Sequence, residues 1–150
     1  MLRFAVFALT VLICIASLSC QPYSTGLQQS VARADETAAK AALHTIAVAQ
    51  QTYSVSNGGD FGTFQQLSEA GYLDSRFNSS KPAIKDYVLT MEVAPKSEAQ
   101  PAGFYSCNAD PVSTGTGAKA GTHFYIDSTS SDLHVNPNES ATAKDPIAQP

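Results

Sequence analysis

Two histidines and one aspartate near the C-terminal end of the chain are the side chains best suited to metal binding or acid–base chemistry. His123, Tyr125 and Asp127 alternate along one segment, which places them on one face of a predicted β-strand. His134 comes opposite that strand if a hairpin follows. Two imidazoles and a carboxylate form a ligand set that zinc accepts. The same alternation is typical of the solvent-facing side of a sheet, so we assign no metal and no cofactor to these residues.

A second candidate site lies just beyond that strand. Asp127, Thr129, Ser131 and Asp132 offer side-chain oxygens in the manner of a calcium loop, but the glycine and the bidentate glutamate of an EF-hand are missing. No serine stands in a Gly-x-Ser-x-Gly frame, and no glycine-rich loop precedes a Lys-Ser/Thr pair. We therefore predict no catalytic residue, no small-molecule substrate and no enzymatic activity. An exported metal-binding protein or hydrolase built on His123, Asp127 and His134 is kept as an alternative.

The N-terminal residues predict an exported protein. Arg3 precedes an apolar run over residues 4–18 that contains Cys14 and is too short to cross a bilayer comfortably. Small residues follow it, and this combination is typical of a secretory signal peptide, which we predict over residues 1–19. An uncleaved membrane anchor is the alternative. The third cysteine, Cys107, falls within a predicted strand, where a buried and inert thiol is the usual finding.

The segment Ser17–Cys20 resembles the lipobox of bacterial lipoproteins, in which the signal is removed just before a cysteine that is then diacylated. Ser19 and Cys20 fit that pattern, whereas the leucine preferred three residues before the cysteine is replaced by Ser17. The resemblance implies lipidation of Cys20 and membrane attachment through that lipid. Ser17 and Ser19 also suit an ordinary signal peptidase, so simple secretion remains open.

The net negative charge of the chain argues against nucleic acid as a partner. Removal of residues 1–19 takes away Arg3 and no acidic residue, which leaves eight Lys and Arg against 13 Asp and Glu, a net charge of −5. No basic cluster occurs, so nucleic acid is not an expected partner. The 150 residues, 43% of them hydrophobic, are enough for one domain with one core.

A long helix is the strongest structural prediction. Gln21–Gly26 is predicted to be a polar tether within residues 20–26, and Thr25 with Gln28 indicates a capping box that starts the helix near Leu27. Glu36 precedes Lys40 by four residues and predicts an ion pair. One helical face carries an apolar stripe, flanked by Leu43, Ala47 and Gln50 and formed by Ala38, Ala42, Ile46, Ala49 and Tyr53.

The remaining chain predicts a short helix and then a sheet. Gly58 and Gly59 are predicted to stop the long helix near Ser54. A capping box formed by Thr63 and Gln66 starts the short helix, and Gly71 ends it. Core residues around it are Phe61, Phe64, Leu67, Tyr72 and Leu73. Strands are predicted at Tyr87–Val93, Phe104–Ala109, Thr122–Asp127 and around Leu133–Val135. The segments Asp74–Lys85 and Ser113–Gly121 are predicted loops, and the chain from Asn136 onward is expected to be loosely ordered.

These elements predict an α+β fold, with a long N-terminal α-helix packed on a small three- to four-stranded antiparallel sheet over residues 27–147, and residues 148–150 as a tail. Their order, with the segments Phe61–Leu67, Ala70–Asp74, Ala109–Val112, His123–Asp127 and Ala143–Ile147, is similar to type IV pilins and type II secretion pseudopilins. The leader departs from that family. No glycine precedes Gln21, no glutamate lies in the apolar run, and the apolar run precedes the expected cut.

The two resemblances together lead to one functional hypothesis. We expect a non-enzymatic, lipid-anchored, pilin-like protein of the bacterial cell envelope, periplasmic or in the outer membrane, that acts through protein–protein contacts. Pilus or secretion-system proteins are the partners that the resemblance implies. A minor type IV pilin or pseudopilin subunit with an atypical leader is the alternative, and it requires residues 1–19 to stay attached.

Overall fold

The structure is a computed structural model that describes residues 22–98, 101–112 and 121–149. The predicted signal peptide, Cys20 and most of the predicted Ser113–Gly121 loop lie outside the described residues. The chain divides between Arg33 and Ala34 into two units. In the first unit the described residues are helical, and the second unit, residues 34–150, contains the sheet and the hydrophobic core.

Helix α1 is the longest element and spans Pro22–Ser56. It begins five residues before the predicted start at Leu27, so most of the predicted tether is helical and Thr25 lies within the helix rather than at its start. The helix ends at two glycines with positive φ, 65° at Gly58 and 94° at Gly59, as their conformational freedom predicts.

The predicted apolar stripe of α1 faces the core. Ile46 is fully buried, Ala42 and Ala49 are nearly so, and Ala38 and Tyr53 are partly buried at the margin of the core. Leu43 and Gln50, predicted to flank the stripe, are fully buried, and Ala39 is a further buried position. The predicted Glu36–Lys40 ion pair is not among those of the described residues. Instead, Glu36 accepts a hydrogen bond from the Thr122 hydroxyl (2.9 Å).

Helix α2 spans Phe64–Glu69 and has the predicted capping box. The Gln66 amide donates to the Thr63 hydroxyl, and the Thr63 amide donates to the Gln66 side chain. A 3₁₀-helix at Ser75–Phe77 follows within the segment predicted as a polar connection. It buries Phe77, a core residue absent from the predicted set, whereas Phe64, Leu67 and Leu73 are buried as predicted.

The sheet has five antiparallel strands, one or two more than predicted, and their spatial order follows the chain. The additional strand is β1, only two residues long and placed in the predicted Asp74–Lys85 connection. The other four lie close to the predicted segments. The strands are β1 (Ala83–Ile84), β2 (Tyr87–Ala94), β3 (Phe104–Pro111), β4 (His123–Asp127) and β5 (His134–Asn136).

One face of the sheet joins α1 in the core, because alternate residues of each strand point to the same side. Leu89, Cys107, Ala109, Phe124 and Ile126 are buried in one cluster with the apolar stripe of α1. The α+β architecture with a long helix and an antiparallel sheet is therefore confirmed.

The chain after β5 is fastened to the sheet, so the expectation of a loosely ordered tail from Asn136 is wrong. The Val135 amide donates to the Pro146 carbonyl (2.9 Å), and the Ala148 amide donates to the Leu133 carbonyl (2.7 Å). Ala141 is 2% exposed. Apolar content alone did not reveal this segment, because hydrogen bonds rather than large apolar side chains hold it.

Candidate functional site

The residues singled out for chemistry lie on the face of the sheet opposite the core. His123, Tyr125 and Asp127 are alternate residues of β4, and their neighbours Phe124 and Ile126 point into the core. His134 lies on β5, directly opposite Tyr125, while His123 lies opposite Asn136. The register thus brings all four onto one face, as predicted, but it does not bring the two histidines side by side.

His123 is held by an aspartate that the sequence analysis did not single out as a site residue. Its Nδ1 lies 2.6 Å from Oδ1 of Asp110, and the two side chains are 16% and 31% exposed. The other carboxylate oxygen of Asp110 accepts a hydrogen bond from the Ser140 hydroxyl (3.1 Å). Ser140 is thus bonded to the carboxylate and not to the imidazole, so this trio lacks the serine–histidine hydrogen bond that activates a nucleophile. The β3–β4 register, extended by one residue, is the signal that relates Asp110 to His123.

Asp127 uses both carboxylate oxygens within the fold. Tyr125 donates its hydroxyl to Oδ2 (2.9 Å), and the Thr129 amide donates to Oδ1 (2.7 Å). Partial burial, and then the hydrogen bond to Asp127, raise the pKa of Tyr125 to about 12 from its usual 10.0. Asp127 itself is 5% exposed. The Asp127 carboxylate, which is common to both predicted metal sets, therefore stabilises β4 and the turn that follows it.

His134 connects the sheet to the C-terminal segment. Its Nδ1 donates to the main-chain carbonyl oxygen of Asp145 (2.7 Å), since a carbonyl can only accept. The Asp145 carboxylate accepts the amide and hydroxyl of Thr142, and these bonds, followed by one from Asn136, hold the pKa of Asp145 below its usual range. Within the described ranges, no three His, Cys, Asp or Glu side chains converge in a way that could hold a metal ion.

A groove of 520 Å³ separates this polar face from part of the C-terminal segment. Phe104, Asn108 and Tyr125 form its floor, and residues 140–144 form one wall. Asn108 closes one side by donating to the Ala141 carbonyl (2.7 Å) and the Ser140 hydroxyl (3.1 Å). Glu92, Tyr125 and Lys144 are the titratable residues of its lining.

Cys107 is a free, fully buried thiol on the core face of β3, as predicted. Burial raises its pKa above the usual 9.0, and the negative charge of Asp110 adds to the shift. Because the thiolate is the nucleophile, a buried neutral thiol is unreactive at physiological pH.

The side of α1 that faces away from the core exposes two valines over its C-terminal part. Val48 is 65% exposed and Val55 is 81% exposed. Thr52 lies between the two valines along the helix, and Thr45 lies one turn before Val48. The Thr45 hydroxyl donates to the Ala41 carbonyl and the Thr52 hydroxyl donates to the Val48 carbonyl, both at 2.9 Å. With the hydroxyls bonded to the helix backbone, their methyl groups add to the apolar surface. We call these five residues, 41, 45, 48, 52 and 55, the outer stripe.

Comparison of the chain with protein-family models, with curated proteins and with solved structures finds no match in any of the three. Of the helices in the part of the chain that the structure describes, none is long and apolar enough to cross a membrane.

Proposed function

We propose that the protein is a non-enzymatic, pilin-like protein of the bacterial cell envelope, anchored by lipid on Cys20 and acting through contacts with other proteins. The observation that carries the proposal is the outer stripe of α1. Its two valines, each more than half exposed, leave apolar surface in water that contact with another protein would bury.

The position of the anchor supports the same proposal. Only Gln21 separates Cys20 from Pro22, where α1 begins. A lipid on Cys20 would therefore be attached almost directly to the helix that carries the outer stripe. Several acyl chains on one cysteine bind a bilayer durably, at about 0.8 kcal/mol per buried methylene, whereas a single chain binds only marginally.

The arrangement of the segments supports the pilin-like part. The long helix, the capped short helix and the antiparallel strands follow one another in the order on which the resemblance to pilins and pseudopilins rests. Asp110, from the segment Ala109–Val112, and His123, from the segment His123–Asp127, are in contact. Pilus or secretion-system proteins are accordingly the partners that we propose.

Intact-mass measurement of the protein recovered from bacterial membranes tests the anchor. We expect a species that begins at Cys20 and carries added acyl mass, and a Cys20→Ala variant that lacks this mass and leaves the membrane fraction. A Cys14→Ala variant is the matched control and should behave as the wild type. A full-length species, or one cut within the first few residues, would refute the lipid anchor and favour a minor pilin or pseudopilin subunit.

Site-specific photo-crosslinking in the same cells tests the contact role. A benzophenone side chain at Val48 or Val55 should give discrete crosslinked products. The same probe at Glu139, an exposed residue of the C-terminal segment, is the control and should give fewer. Equal labelling at all three positions would contradict a contact role for the outer stripe.

A further inference from the structure

One edge of the sheet is only partly covered. β1 pairs with Tyr87 and Val88 of β2, and the Leu89 amide donates to the Pro82 carbonyl (2.8 Å). Beyond Leu89, β2 continues to Ala94, and none of its remaining amides donates to a backbone carbonyl on this side among the described residues. The opposite edge of the sheet is covered, because the segment 146–148 forms hydrogen bonds with Val135 of β5 and with Leu133, just before β5.

The direction of the main-chain groups on this edge follows from the register. The Val112 amide donates to the Asp86 carbonyl (2.7 Å), so even-numbered residues of β2 bond to β3. Odd-numbered residues point the other way, as Leu89 does. The amides and carbonyls of Met91 and Val93 therefore face the open edge. They offer two donors and two acceptors at strand spacing, and unpaired edge groups of this kind are a template for another strand.

A groove of 390 Å³ runs along this edge. Met91 and Val93 line one side, and the start of α2, at Thr63–Gln65, lines the other. The loop 78–80 completes the lining. The β1–β2 register, continued toward the N-terminus, would place this loop beside Met91 and Val93. Instead, the Ser79 amide donates to the Phe77 carbonyl (2.8 Å), which bends the loop away from strand pairing. Space for a strand is thereby left open.

We propose that the open edge of β2 binds an extended segment of another protein chain by strand addition. A strand placed about 4.8 Å from β2 satisfies all four main-chain groups of Met91 and Val93. No charged side chain lines the groove, so the bound segment carries uncharged side chains where it faces the groove. Pro95 has no amide and ends the pairing surface, which limits the contact to a segment of about five residues.

A single strand suits this groove better than a second copy of the sheet. In a second copy, the same edge carries its own α2 and its own loop 78–80, and both would compete for the space that one strand needs. This surface gives the protein–protein role proposed above a specific site, and it does not depend on lipid at Cys20. The test of strand addition can therefore fail while the lipid anchor is supported, and the test of the lipid anchor can fail while strand addition is supported.

Amide hydrogen exchange measured by NMR on the full-length, detergent-solubilised protein tests the proposal. The probe is a mixture of acetyl-capped, amidated five-residue peptides composed of Thr, Val, Ser, Ala and Tyr. Without peptide, the Met91 and Val93 amides should exchange fast, while those of Thr90 and Glu92, bonded to β3, stay protected. At a peptide concentration ten times the Kd, exchange at Met91 and Val93 should slow about tenfold. The same mixture with every amide N-methylated should have no effect.

A proline substitution separates edge pairing from nonspecific binding. Val93→Pro removes an amide that only the added strand uses, and proline is tolerated at sheet edges. We expect this variant to fold and to bind the peptides at least tenfold more weakly, whereas Val93→Thr keeps the amide and the affinity.

Three outcomes would overturn strand addition. Protection of Met91 and Val93 in dilute, peptide-free protein would show that the chain itself closes the edge. Protection that rises with protein concentration alone would show that a second copy occupies it. Unchanged exchange at millimolar peptide would show that the edge does not accept a strand.

Discussion

Gln50 provides the sharpest test of how α1 is joined to the rest of the fold. It is fully buried, its Nε2 donates to the Gly62 carbonyl (2.6 Å), and its Oε1 accepts the Gly62 amide (2.9 Å). Gln50→Ala leaves two buried main-chain groups without partners. At about 1–3 kcal/mol for each, the free energy of unfolding should fall by about 2–6 kcal/mol, a large fraction of the 5–15 kcal/mol typical of a domain.

Urea unfolding followed by circular dichroism measures this loss. Gln51→Ala is the matched control, because Gln51 is the next helical residue and is exposed, and it should change stability by less than about 0.5 kcal/mol. Gln50→Leu restores most of the volume but neither hydrogen bond, so it should recover no more than about 2 kcal/mol of the loss. If Gln50→Ala were as stable as Gln51→Ala, or if Gln50→Leu matched the wild type, the two hydrogen bonds would not be what joins α1 to Gly62.

Three further predictions concern buried ionisable groups, the cap of α2 and the orientation of α1. Burial raises the pKa of Tyr105 to about 12 and that of Cys107 above 9.0, so the unfolded chain releases these protons at lower pH than the folded chain. Stability measured by urea unfolding should therefore fall between pH 8 and pH 11, less steeply in Cys107→Ala; a flat profile would contradict this. Thr63→Ala should cost about 0.5–2 kcal/mol through loss of the cap, and Thr63→Ser should restore it; equal stabilities in thermal melts would rule the cap out. Leu43→Ala should cost about 2–5 kcal/mol, but Val48→Ala, at a site 65% exposed, about 0.5 kcal/mol or less; similar unfolding midpoints for the two would refute the orientation of α1.

Local signals in the sequence were sufficient for most of the secondary structure. Helical periodicity identified the buried face of α1, since Ile46 and its neighbours repeat at three- and four-residue steps. The Thr63–Gln66 capping box is likewise encoded within four residues. β1 was missed because a two-residue strand has no period of its own and exists through its pairing with Tyr87 and Val88. Phe77 was missed because polar residues flank it on both sides.

The polar contacts could not be predicted in the same way, because each joins residues far apart in the chain. Gln50 was expected to flank the apolar stripe, but its partner Gly62 lies 12 residues away and meets it only after the helix has packed. The alternation of His123, Tyr125 and Asp127 correctly predicts one shared strand face, with His134 on the neighbouring strand. The chemistry of the two histidines was decided by Asp110, 13 residues before His123, and by Asp145, 11 residues after His134, which hold the two imidazoles in separate hydrogen bonds.

The position of the C-terminal segment limits where this protein can contact others. Ser140 and Ala141 bond to Asn108 across the polar face of the sheet, and the Pro146 carbonyl bonds to the edge at β5. That face and that edge are therefore partly occupied by the chain itself, and the opposite face is buried against α1. Among the described residues, the open edge of β2 and the outer stripe of α1, the two surfaces proposed for contacts, form no hydrogen bond with that segment. They differ in kind, because the edge offers main-chain hydrogen bonds to a strand and the stripe offers methyl groups to an apolar surface. Loss of peptide binding in Val93→Pro should consequently leave crosslinking at Val48 unchanged, and a variant that abolished both would mean that the two surfaces bind one partner together.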